Sequence, residues 1–463
     1  MPSTRFSLRI LWLILADAAM LFAGVILAMY LRLGVGGTAE YLDLRHGWSK
    51  IALASGICLL ILYFYDLYDY VVMTNRRELL LRMVQALGIA WALLALLFYF
   101  LPDLLIGRGV SVISVPVVLG MLLGWRIFIH TLTGHPEIGE KILVVGTGQT
   151  ALDTAEAVWE RRDAGYRIVG FVSENGAKPG DRLGRSAILG KAHQLEDVIR
   201  SEKVDRVVIA VRERRGAFPT EALLKMSLAG DISIEECTSF FERITGKVHV
   251  DMLRPSWLIF AGRKRDTPIK LMIREGVHRG LALAGFILSL PLAIFTAVLI
   301  KLDSRGPIFY RQERVGMNGK TFELLKFRSM KVDAEADGTP VWAITNDDRV
   351  TRVGRVIRKL RIDEIPQFWN IIKGEMNFVG PRPERPHFVE QLANEVHYYE
   401  HRHLVAPGLT GWAQIKYPYG ASVEDAIQKL QYDLYYIKNQ SLTLDLMIVF
   451  ETVKTVLFGR GGR

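Results

Sequence analysis

An adjacent acid pair, Asp363 and Glu364, is the strongest chemical signal in the sequence, and basic residues flank it on both sides. Arg358 precedes the pair, and Arg382 follows it between two prolines. Ionised carboxylates suit a divalent metal ion, and an arginine in a segment stiffened by prolines suits a phosphate group. The pattern therefore predicts metal-assisted phosphoryl transfer. Asp363 and Glu364 would be catalytic, Asp363 would bind Mg²⁺, and Arg358 and Arg382 would bind substrate phosphates.

The same stretch predicts a short helix that would position the acids. Pro366 fits a first helical turn, where its missing N–H costs nothing. We therefore expect a helix that begins near Asp363, runs toward Lys373 and ends at Gly374, with its dipole holding the carboxylate ionised. In a purely structural alternative, Asp363 only caps this helix, which is a common role for aspartate. That alternative explains less well why a second acid and a rigid Pro-Arg-Pro segment follow.

Three further basic residues are weaker candidates for binding substrate. Lys326 and Arg328 occur in the run Lys-Phe-Arg-Ser-Met, and Arg349 occurs in the run Asn-Asp-Asp-Arg-Val-Thr. A solvated basic strand is the alternative for the first two. All three are predicted to contact the phosphates of a substrate, with Arg349 the weakest of them.

From about Lys264 to the C-terminus, short motifs in a fixed order resemble the bacterial sugar transferases. These are the monotopic phosphoglycosyl transferases that act on polyprenol phosphate. A series of motifs in the right order is far more specific than any one of them. The motifs occupy residues 303–312, 326–330, 363–364, 381–383 and 407–412. The longer arrangement of this chain resembles the enzymes that initiate exopolysaccharide or capsule repeat units.

The resemblance implies a covalent route through the acid pair. Asp363 would attack the β-phosphorus of a UDP-sugar, UMP would leave, and polyprenyl (undecaprenyl) phosphate would then accept the phosphosugar. Glu364 would help to position metal or substrate. A carboxylate is a known nucleophile in aspartyl-phosphate chemistry. Glucose and galactose are common in this arrangement by resemblance, and N-acetylated sugars stay open.

Four apolar segments near the N-terminus approach the ~20 residues that a membrane-spanning helix needs. They lie at about 8–31, 51–65, 84–101 and 110–129. Basic residues are concentrated before the first segment, between the second and third, and after the fourth. The positive-inside rule therefore predicts a four-helix transmembrane region with both ends in the cytoplasm. The alternative, a buried helical core in a soluble protein, fits segments of this length and low charge poorly.

A glycine-rich turn at Gly146 and Gly148 follows a buried strand and leads into a helix that contains Ala151. This Gly-x-Gly-x-x-Ala pattern, together with the strands and helices after it, predicts a Rossmann-like domain. Gly146, Gly148 and Ala151 are its candidate cofactor-binding residues, on a motif that is weak by itself. The alternative is a regulatory or oligomerisation domain that retains the glycines. The family resemblance agrees with it, since this domain has no catalytic role there.

A fifth apolar segment, 281–300, carries Ser289 and Pro291 near its middle. Its length would allow it to span a bilayer, but both flanks are rich in lysine and arginine, which favours a cytoplasmic location for both. We therefore predict a re-entrant helix over 279–302 that is broken at Pro291, with Ser289 satisfying a freed carbonyl. The family that the sequence resembles has a broken helix at this place.

The predicted fold is a membrane protein of mixed α and α/β architecture. Its parts are a four-helix transmembrane region at 1–135, a Rossmann-like α/β domain at 139–240, a linker at 241–265 and a C-terminal α/β catalytic domain at 266–463. We expect a multi-pass protein of the bacterial inner membrane, with the catalytic domain on the cytoplasmic face. Membrane lipid is then a partner, and homo-oligomerisation stays open.

Composition agrees with a membrane enzyme that takes phosphorylated substrates. The 463 residues are 50% hydrophobic with a net charge of +10, and the mean hydropathy is +0.20. An anionic membrane surface and phosphorylated substrates account for the positive charge, and no nucleic-acid-binding module occurs. A transporter is one alternative, but Asp17 is an exception in otherwise apolar spans. A nucleotide-dependent oxidoreductase is another, and it leaves the C-terminal region unexplained.

Overall fold

The computed structural model of the protein describes most of the chain. The described residues are 4–44, 46–68, 76–133, 140–161, 165–174, 178–211, 220–230, 232–250, 267–332, 348–417, 420 and 422–457. The chain divides into two compact units, Met1–Ile244 and Thr245–Arg463. The first unit holds the apolar N-terminal segments and the middle domain, and the second holds the acid pair.

Within its described part, the first unit begins with four apolar helices, which confirms the prediction. They are α1 (Thr4–Leu44), α2 (Gly47–Phe64), α3 (Arg76–Phe100) and α4 (Arg108–Thr133). Each contains a stretch that is long and apolar enough to cross a membrane. α1 departs from helical geometry at Gly34, where φ is 71°.

The charge in the first span has a structural explanation. Asp17 of α1 forms an ion pair with Arg126 of α4, and both side chains are buried. Arg126 also donates to the carbonyl of Leu67 at 2.9 Å. The ion pair connects α1 to α4 and keeps both charges away from lipid. Asp17 therefore has a structural role and gives no support to a transport pathway.

The middle domain is the Rossmann-like α/β fold that was predicted. Its six-stranded sheet has the order β3-β4-β2-β1-β5-β6 and is parallel except for the β3–β4 pair. The strands are β1 (Glu140–Val145), β2 (Tyr166–Ser173), β3 (Arg182–Leu183), β4 (Ser186–Lys191), β5 (Arg206–Ile209) and β6 (Ser233–Glu236). The helices are α5 (Gln149–Glu160), α6 (Leu195–Glu202), α7 (Thr220–Ala229) and α8 (Cys237–Thr245).

Alternating side chains of β1 explain why helices cover both faces of this sheet. Ile142 and Val144 pack in one apolar cluster with residues of α5 and α8. Leu143 and Val145 pack in a second cluster with residues of α6 and α7. A parallel strand buried on both sides needs such a continuous apolar run.

The second unit begins with a long apolar helix, followed by short strands and helices. These elements are α9 (Pro268–Asp303), β7 (Phe309–Val315), β8 (Thr321–Phe327), α10 (Arg352–Lys359), α11 (Gln367–Lys373), β9 (Asn377–Val379), α12 (Pro386–Glu395), β10 (Gly408–Thr410), α13 (Trp412–Lys416), α14 (Val423–Lys438) and α15 (Leu442–Leu457). Strands β7 and β8 form an antiparallel hairpin, and β9 pairs in parallel with β10.

Two apolar clusters hold the elements next to the acid pair and next to the Pro-Arg-Pro segment. In one, Ala282 of α9 and Leu324 of β8 pack with Ile371 of α11. In the other, Val379 of β9 packs with Tyr436 of α14 and with residues of α13 and α15. The helix after the acid pair and the strand before the Pro-Arg-Pro segment are therefore each fixed by neighbouring elements.

The predicted break at Pro291 is wrong, because α9 is a continuous helix of 36 residues that passes through it. A proline removes one N–H donor from the helical ladder, and the neighbouring turns can stay bonded. The Ser289 hydroxyl donates to the Phe286 carbonyl at 3.1 Å and supplies an extra bond nearby. α9 is long and apolar enough to cross a membrane. Its re-entrant path stays a prediction.

The predicted linker at 241–265 is structured at its start. Its first residues complete α8, where Phe241 and Ile244 are buried. Val248 and Val250 pack into an apolar cluster of the second unit, and the Val248 amide donates to the Gln431 carbonyl at 3.0 Å. Residues 251–265 lie outside the described part. The second unit therefore begins before residue 266, the boundary predicted for the C-terminal domain.

Candidate active site

The acid pair lies in a 3₁₀ turn, Ile362–Glu364, immediately before α11. The helix begins later than predicted because Pro366 has no N–H to bond the Ile362 carbonyl, which accepts from the Ile365 amide instead. Pro366 occupies the N-cap position, and no side chain caps the helix there. The alternative role of Asp363 as a cap is therefore wrong. Gly374 ends the helix with a φ of 83°, as predicted.

Glu364 is held by basic side chains from three parts of the chain. Its Oε1 accepts hydrogen bonds from Arg382 Nη2 at 2.9 Å and from Arg361 Nη1 at 3.3 Å, and lies 3.8 Å from Lys326 Nζ. Burial by itself would raise the pKa of Glu364. The nearby Arg382, Lys326 and Arg361 reverse that effect and hold the pKa well below its usual range.

Asp363 differs from its neighbour because its carboxylate has no such partner. It is 7% exposed, and within the described part of the chain it forms no hydrogen bond and no ion pair. Burial raises the pKa of Asp363 above its usual range, against the lowering effect of Lys326. The carboxylate is free to contact a bound cation or a substrate.

Lys326 is brought to the acid pair by contacts between β8 and α11. The Asn370 side chain of α11 accepts from the Leu325 amide at 3.0 Å and donates to the Glu323 carbonyl at 2.7 Å, which fixes β8 immediately before Lys326. Burial lowers the pKa of Lys326 to about 8, although Glu364 opposes the shift. The structure thus places Lys326 beside the acid pair, and its contact with substrate stays a prediction.

Arg382 reaches Glu364 from a tightly packed segment that follows β9. A Cβ atom on Gly380 would lie 2.4 Å from the Ala406 carbonyl oxygen, so only glycine allows this approach of two backbones. The prolines on either side of Arg382 restrict the backbone further. The structure therefore brings Asp363, Glu364, Lys326 and Arg382 into one place, as the sequence indicates.

Arg328 has a structural role in addition to the predicted substrate contact, which stays a prediction. It is 5% exposed, and its terminal nitrogens donate to the Ser304 carbonyl and hydroxyl, both at 2.8 Å, and to the Arg305 carbonyl at 3.0 Å. These contacts join the end of β8 to the end of α9. The guanidinium satisfies a helix C-terminus, where carbonyl groups lack partners within the helix.

Two other predicted residues do not contact the acids in the described part of the chain. Arg358 lies half-buried on α10, and its guanidinium forms no hydrogen bond or ion pair with the described residues. Its guanidinium is thus available to a substrate phosphate. Arg349 is half-buried, and its carbonyl accepts from the Lys331 amide at 2.9 Å. Substrate contacts for both stay predictions.

Arg361 is a site residue that the sequence prediction omitted. Its φ of 58° lies in the left-handed region, which reverses the chain after α10 and turns its side chain toward Glu364. Arginine rarely adopts this conformation, so composition and spacing do not reveal it. The only signal was its place in the basic run immediately before the acid pair.

The donor set fits Mg²⁺, although it is small. No group of three or more His, Cys, Asp or Glu side chains suited to a metal occurs among the residues described. Proteins usually bind Mg²⁺ through one or two carboxylates plus substrate phosphates and water, so a dedicated cage is not required. The buried, unpartnered Asp363 carboxylate is a suitable ligand.

The glycine-rich turn adopts the predicted strand–turn–helix geometry. Gly146 has a φ of +122°, and a Cβ there would approach Ala210 to 3.3 Å. Gly148 is the N-cap of α5, and Ala151 is fully buried in the helix. Gly146 and Ala151 therefore have structural reasons for their identity, whereas a Cβ at Gly148 would meet no atom within 4 Å. Cofactor binding by this turn stays a prediction.

Comparison with known proteins gives matches to both units. The family model described as bacterial sugar transferase matches residues 269–459, which include the acid pair and its basic neighbours. The family model described as CoA-binding domain matches residues 64–217.

Three relatives illustrate the range of similarity. UDP-N-acetylgalactosamine-undecaprenyl-phosphate N-acetylgalactosaminephosphotransferase of Aeromonas hydrophila is 43% identical over 56% of this chain and 61% of its own length. Undecaprenyl-phosphate glucose phosphotransferase of Komagataeibacter xylinus is 33% identical over 72% and 62%. A putative undecaprenyl-phosphate N-acetylgalactosaminyl 1-phosphate transferase of Bacillus subtilis (strain 168) is 50% identical over 27% and 70%. The match thus covers less than two thirds of the first two relatives.

Proposed function

We propose that this chain, which belongs to the bacterial sugar transferase family, transfers a sugar-1-phosphate from a UDP-sugar to undecaprenyl phosphate and releases UMP. The observation that carries the proposal is the contrast within the acid pair. Glu364 is held by three cations, whereas the buried Asp363 carboxylate beside it has no partner among the described residues. A reactive carboxylate with cations around it is what transfer between phosphates requires.

The first step uses Asp363 as the nucleophile. A carboxylate oxygen of Asp363 forms a bond to the β-phosphorus of the UDP-sugar, and the bond from that phosphorus to the bridging oxygen breaks. UMP leaves with the bonding electron pair. The sugar phosphate is then held on Asp363 as an acyl phosphate. An aspartyl phosphate of this kind splits one difficult transfer into two easier ones.

In the second step the lipid phosphate takes the sugar phosphate. An oxygen of undecaprenyl phosphate attacks the same phosphorus, and the bond from phosphorus to Asp363 breaks. The carboxylate is regenerated, and the product is undecaprenyl-diphosphate-sugar. Because the lipid chain stays in the bilayer, the reaction must take place at its surface. The exposed apolar side chains of α9, such as Leu288 and Phe295, would anchor the unit there.

The basic residues around Glu364 would stabilise the phosphoryl groups. Lys326 and Arg382 lie within reach of the acids, and Arg358 is free to add a further contact. Phosphoryl transfer depends mainly on positioning and on neutralising negative charge, which is the chemistry these side chains supply. Mg²⁺ held by Asp363 would provide additional neutralisation when bound. Glu364 would keep Arg382 and Arg361 oriented, because it accepts a hydrogen bond from each.

The names of the relatives differ in the sugar they specify. One names N-acetylgalactosamine and another names glucose. We therefore assign the substrate class as UDP-hexoses and their N-acetylated forms. This transfer would be the first membrane step in the assembly of an exopolysaccharide, capsule or O-antigen repeat unit.

A product assay with purified protein in detergent tests the proposal. The protein is incubated with Mg²⁺, undecaprenyl phosphate and a panel of UDP-sugars, each labelled in the sugar. We expect one or two sugars to give labelled lipid together with an equal amount of UMP. Omission of undecaprenyl phosphate should abolish formation of labelled lipid. Release of UDP in place of UMP would show an ordinary glycosyl transfer and contradict the proposal.

A further inference from the structure

Two polar side chains of α14 are buried on the side that faces the Arg382 segment. Asp433 and Tyr436 are each 1% exposed and lie three residues apart, so they share one face of the helix. Buried polar groups are costly unless they are bonded, which makes their partners informative. Neither belongs to the acid pair or to its basic neighbours.

Asp433 is connected to the backbone of Arg382 through one arginine. Arg402 donates from Nη2 to Asp433 Oδ2 at 2.9 Å and to the Arg382 carbonyl at 3.0 Å, and from Nη1 to the Tyr399 hydroxyl at 2.6 Å. Arg402 is only 6% exposed. The guanidinium therefore acts as a rigid spacer between α14 and the segment that presents Arg382.

Each backbone carbonyl from residue 381 to residue 383 accepts a hydrogen bond from a different element. The donors are the Gly408 amide to Pro381 at 2.9 Å, Arg402 Nη2 to Arg382 at 3.0 Å and Arg314 Nη1 to Pro383 at 3.0 Å. Proline rings already restrict the chain on both sides of Arg382. The segment thus has little freedom to move its side chain relative to Glu364.

Tyr436 supports the strand that leads into this segment. Its hydroxyl lies 3.1 Å from the Val379 carbonyl and 2.8 Å from Asp445 Oδ1, and its single hydrogen can serve one of them at a time. Arg274 Nη2 of α9 donates to the same hydroxyl at 2.7 Å. One face of α14 therefore contacts both the end of β9 and, through Arg402, Arg382.

We propose that Arg402 and Asp433 are positioning residues for Arg382, and that α14 is the platform which aims the Arg382 guanidinium at the phosphates of the substrate. Stability alone accounts poorly for the arrangement, because a buried ion pair is often no better than apolar packing of the same volume. Exact placement of a phosphate-binding guanidinium is a function that such a pair does serve.

The inference rests on the proposed transferase function, and a double-mutant cycle tests it on the full chain. The measured quantity is kcat/KM for UMP release, determined for Arg402→Lys, Arg382→Ala and the combination of both. Lysine keeps the charge opposite Asp433 but cannot bond three oxygens in the geometry of arginine. In Arg382→Ala the backbone carbonyl and its bond to Arg402 are retained, and only the guanidinium is lost.

A positioning role predicts strong coupling between the two changes. Arg402→Lys should lower kcat/KM about 10-fold in the otherwise unchanged chain and less than about 2-fold when Arg382 is already alanine. Arg328→Lys is the matched control, since Arg328 is also buried and also donates to backbone carbonyls, but of Ser304 and Arg305. Arg328→Lys should lower kcat/KM by the same factor whether residue 382 is arginine or alanine.

Equal factors for Arg402→Lys in both backgrounds would overturn the inference, because the residue would then act on the fold alone. If Arg402→Lys does not fold, Tyr436→Phe takes its place in the same cycle. It removes one hydroxyl and should show coupling of about 3-fold with Arg382→Ala; no coupling there would also overturn the inference. Absence of UMP release by the unchanged protein with every UDP-sugar would instead contradict the proposed function.

Discussion

The acid site of the second unit and the glycine-rich turn of the first both begin from short motifs, but they differ in what other elements contribute. At the acid site, side chains from β8, from the residue before the 3₁₀ turn and from the segment after β9 meet at one oxygen of Glu364. At the turn, Gly146 bonds the Val172 carbonyl and packs against Ala210. Charged side chains that converge from separate elements indicate a reactive site, whereas a turn motif by itself indicates only a fold.

Replacement of Asp363, at the acid site, should reduce activity far more than any change at the glycine-rich turn. Asp363→Asn keeps the size of the side chain but removes the nucleophile and the carboxylate ligand, so UMP release should fall about 10³-fold or more. Thermal unfolding should change little, because the carboxylate has no hydrogen bond or ion pair in the described part of the chain. Glu395→Gln, at an exposed carboxylate of α12, is the control and should retain full activity. Substantial turnover by purified Asp363→Asn would exclude Asp363 as the nucleophile.

The pH dependence of the reaction should report Lys326. Its pKa is lowered to about 8, so the free enzyme loses this cation as the pH rises through that value. Because only the protonated amine neutralises phosphate, kcat/KM for the UDP-sugar should fall about 10-fold per pH unit above pH 8. Lys326→Arg keeps the charge at high pH and should remove this decline. A decline that is unchanged in Lys326→Arg would assign the titration to another group.

Truncation separates the two units directly. A chain that begins at Thr245 contains the second unit and should retain UMP release in detergent within about 3-fold, if the glycine-rich turn has no part in the chemistry. A chain that begins at Gly262 lacks Val248 and Val250, which are buried in the second unit, and should unfold at lower temperature. Loss of this burial should lower the free energy of unfolding by about 1.5–3 kcal/mol for each valine. Loss of activity in a folded chain from Thr245 would show that the first unit contributes to the site.

A substitution at the glycine-rich turn should give the smallest effect. Gly148 has an ordinary φ of −75° at the N-cap of α5, and a Cβ there would meet no atom within 4 Å. Gly148→Asp should therefore fold normally, since aspartate is a favourable N-cap residue. UMP release should change less than about 2-fold. An aspartate would repel the phosphates of a bound nucleotide, so a large loss of activity would show that a cofactor at this turn supports the reaction.

The elements that the sequence predicted well are those with local signals. Apolar length indicated the four N-terminal helices, and the βα periodicity around Gly146 indicated the parallel sheet. Tertiary contacts determined the rest. Arg328 and Lys326 lie two positions apart in one motif, yet one satisfies the end of α9 and the other approaches Glu364.

Other differences came from backbone details that a pattern does not encode. Arg361 adopts a left-handed conformation, which places it beside Glu364. Pro291 lies inside a continuous helix, because the loss of one donor does not end a long apolar helix with supporting bonds nearby. Arg402 lies outside the sequence motifs, 20 residues after Arg382, and only the fold brings its guanidinium to the Arg382 carbonyl.

Mass spectrometry of the protein after exposure to its UDP-sugar, without undecaprenyl phosphate, tests the central claim most directly. The intact protein should gain the mass of one sugar phosphate, and a digested sample should locate the addition on Asp363. The adduct should be absent in Asp363→Asn and should disappear when undecaprenyl phosphate is added, with formation of labelled lipid. Location of the adduct on another residue, or turnover by the active protein with no adduct at any time under trapping conditions, would contradict Asp363 as the covalent nucleophile.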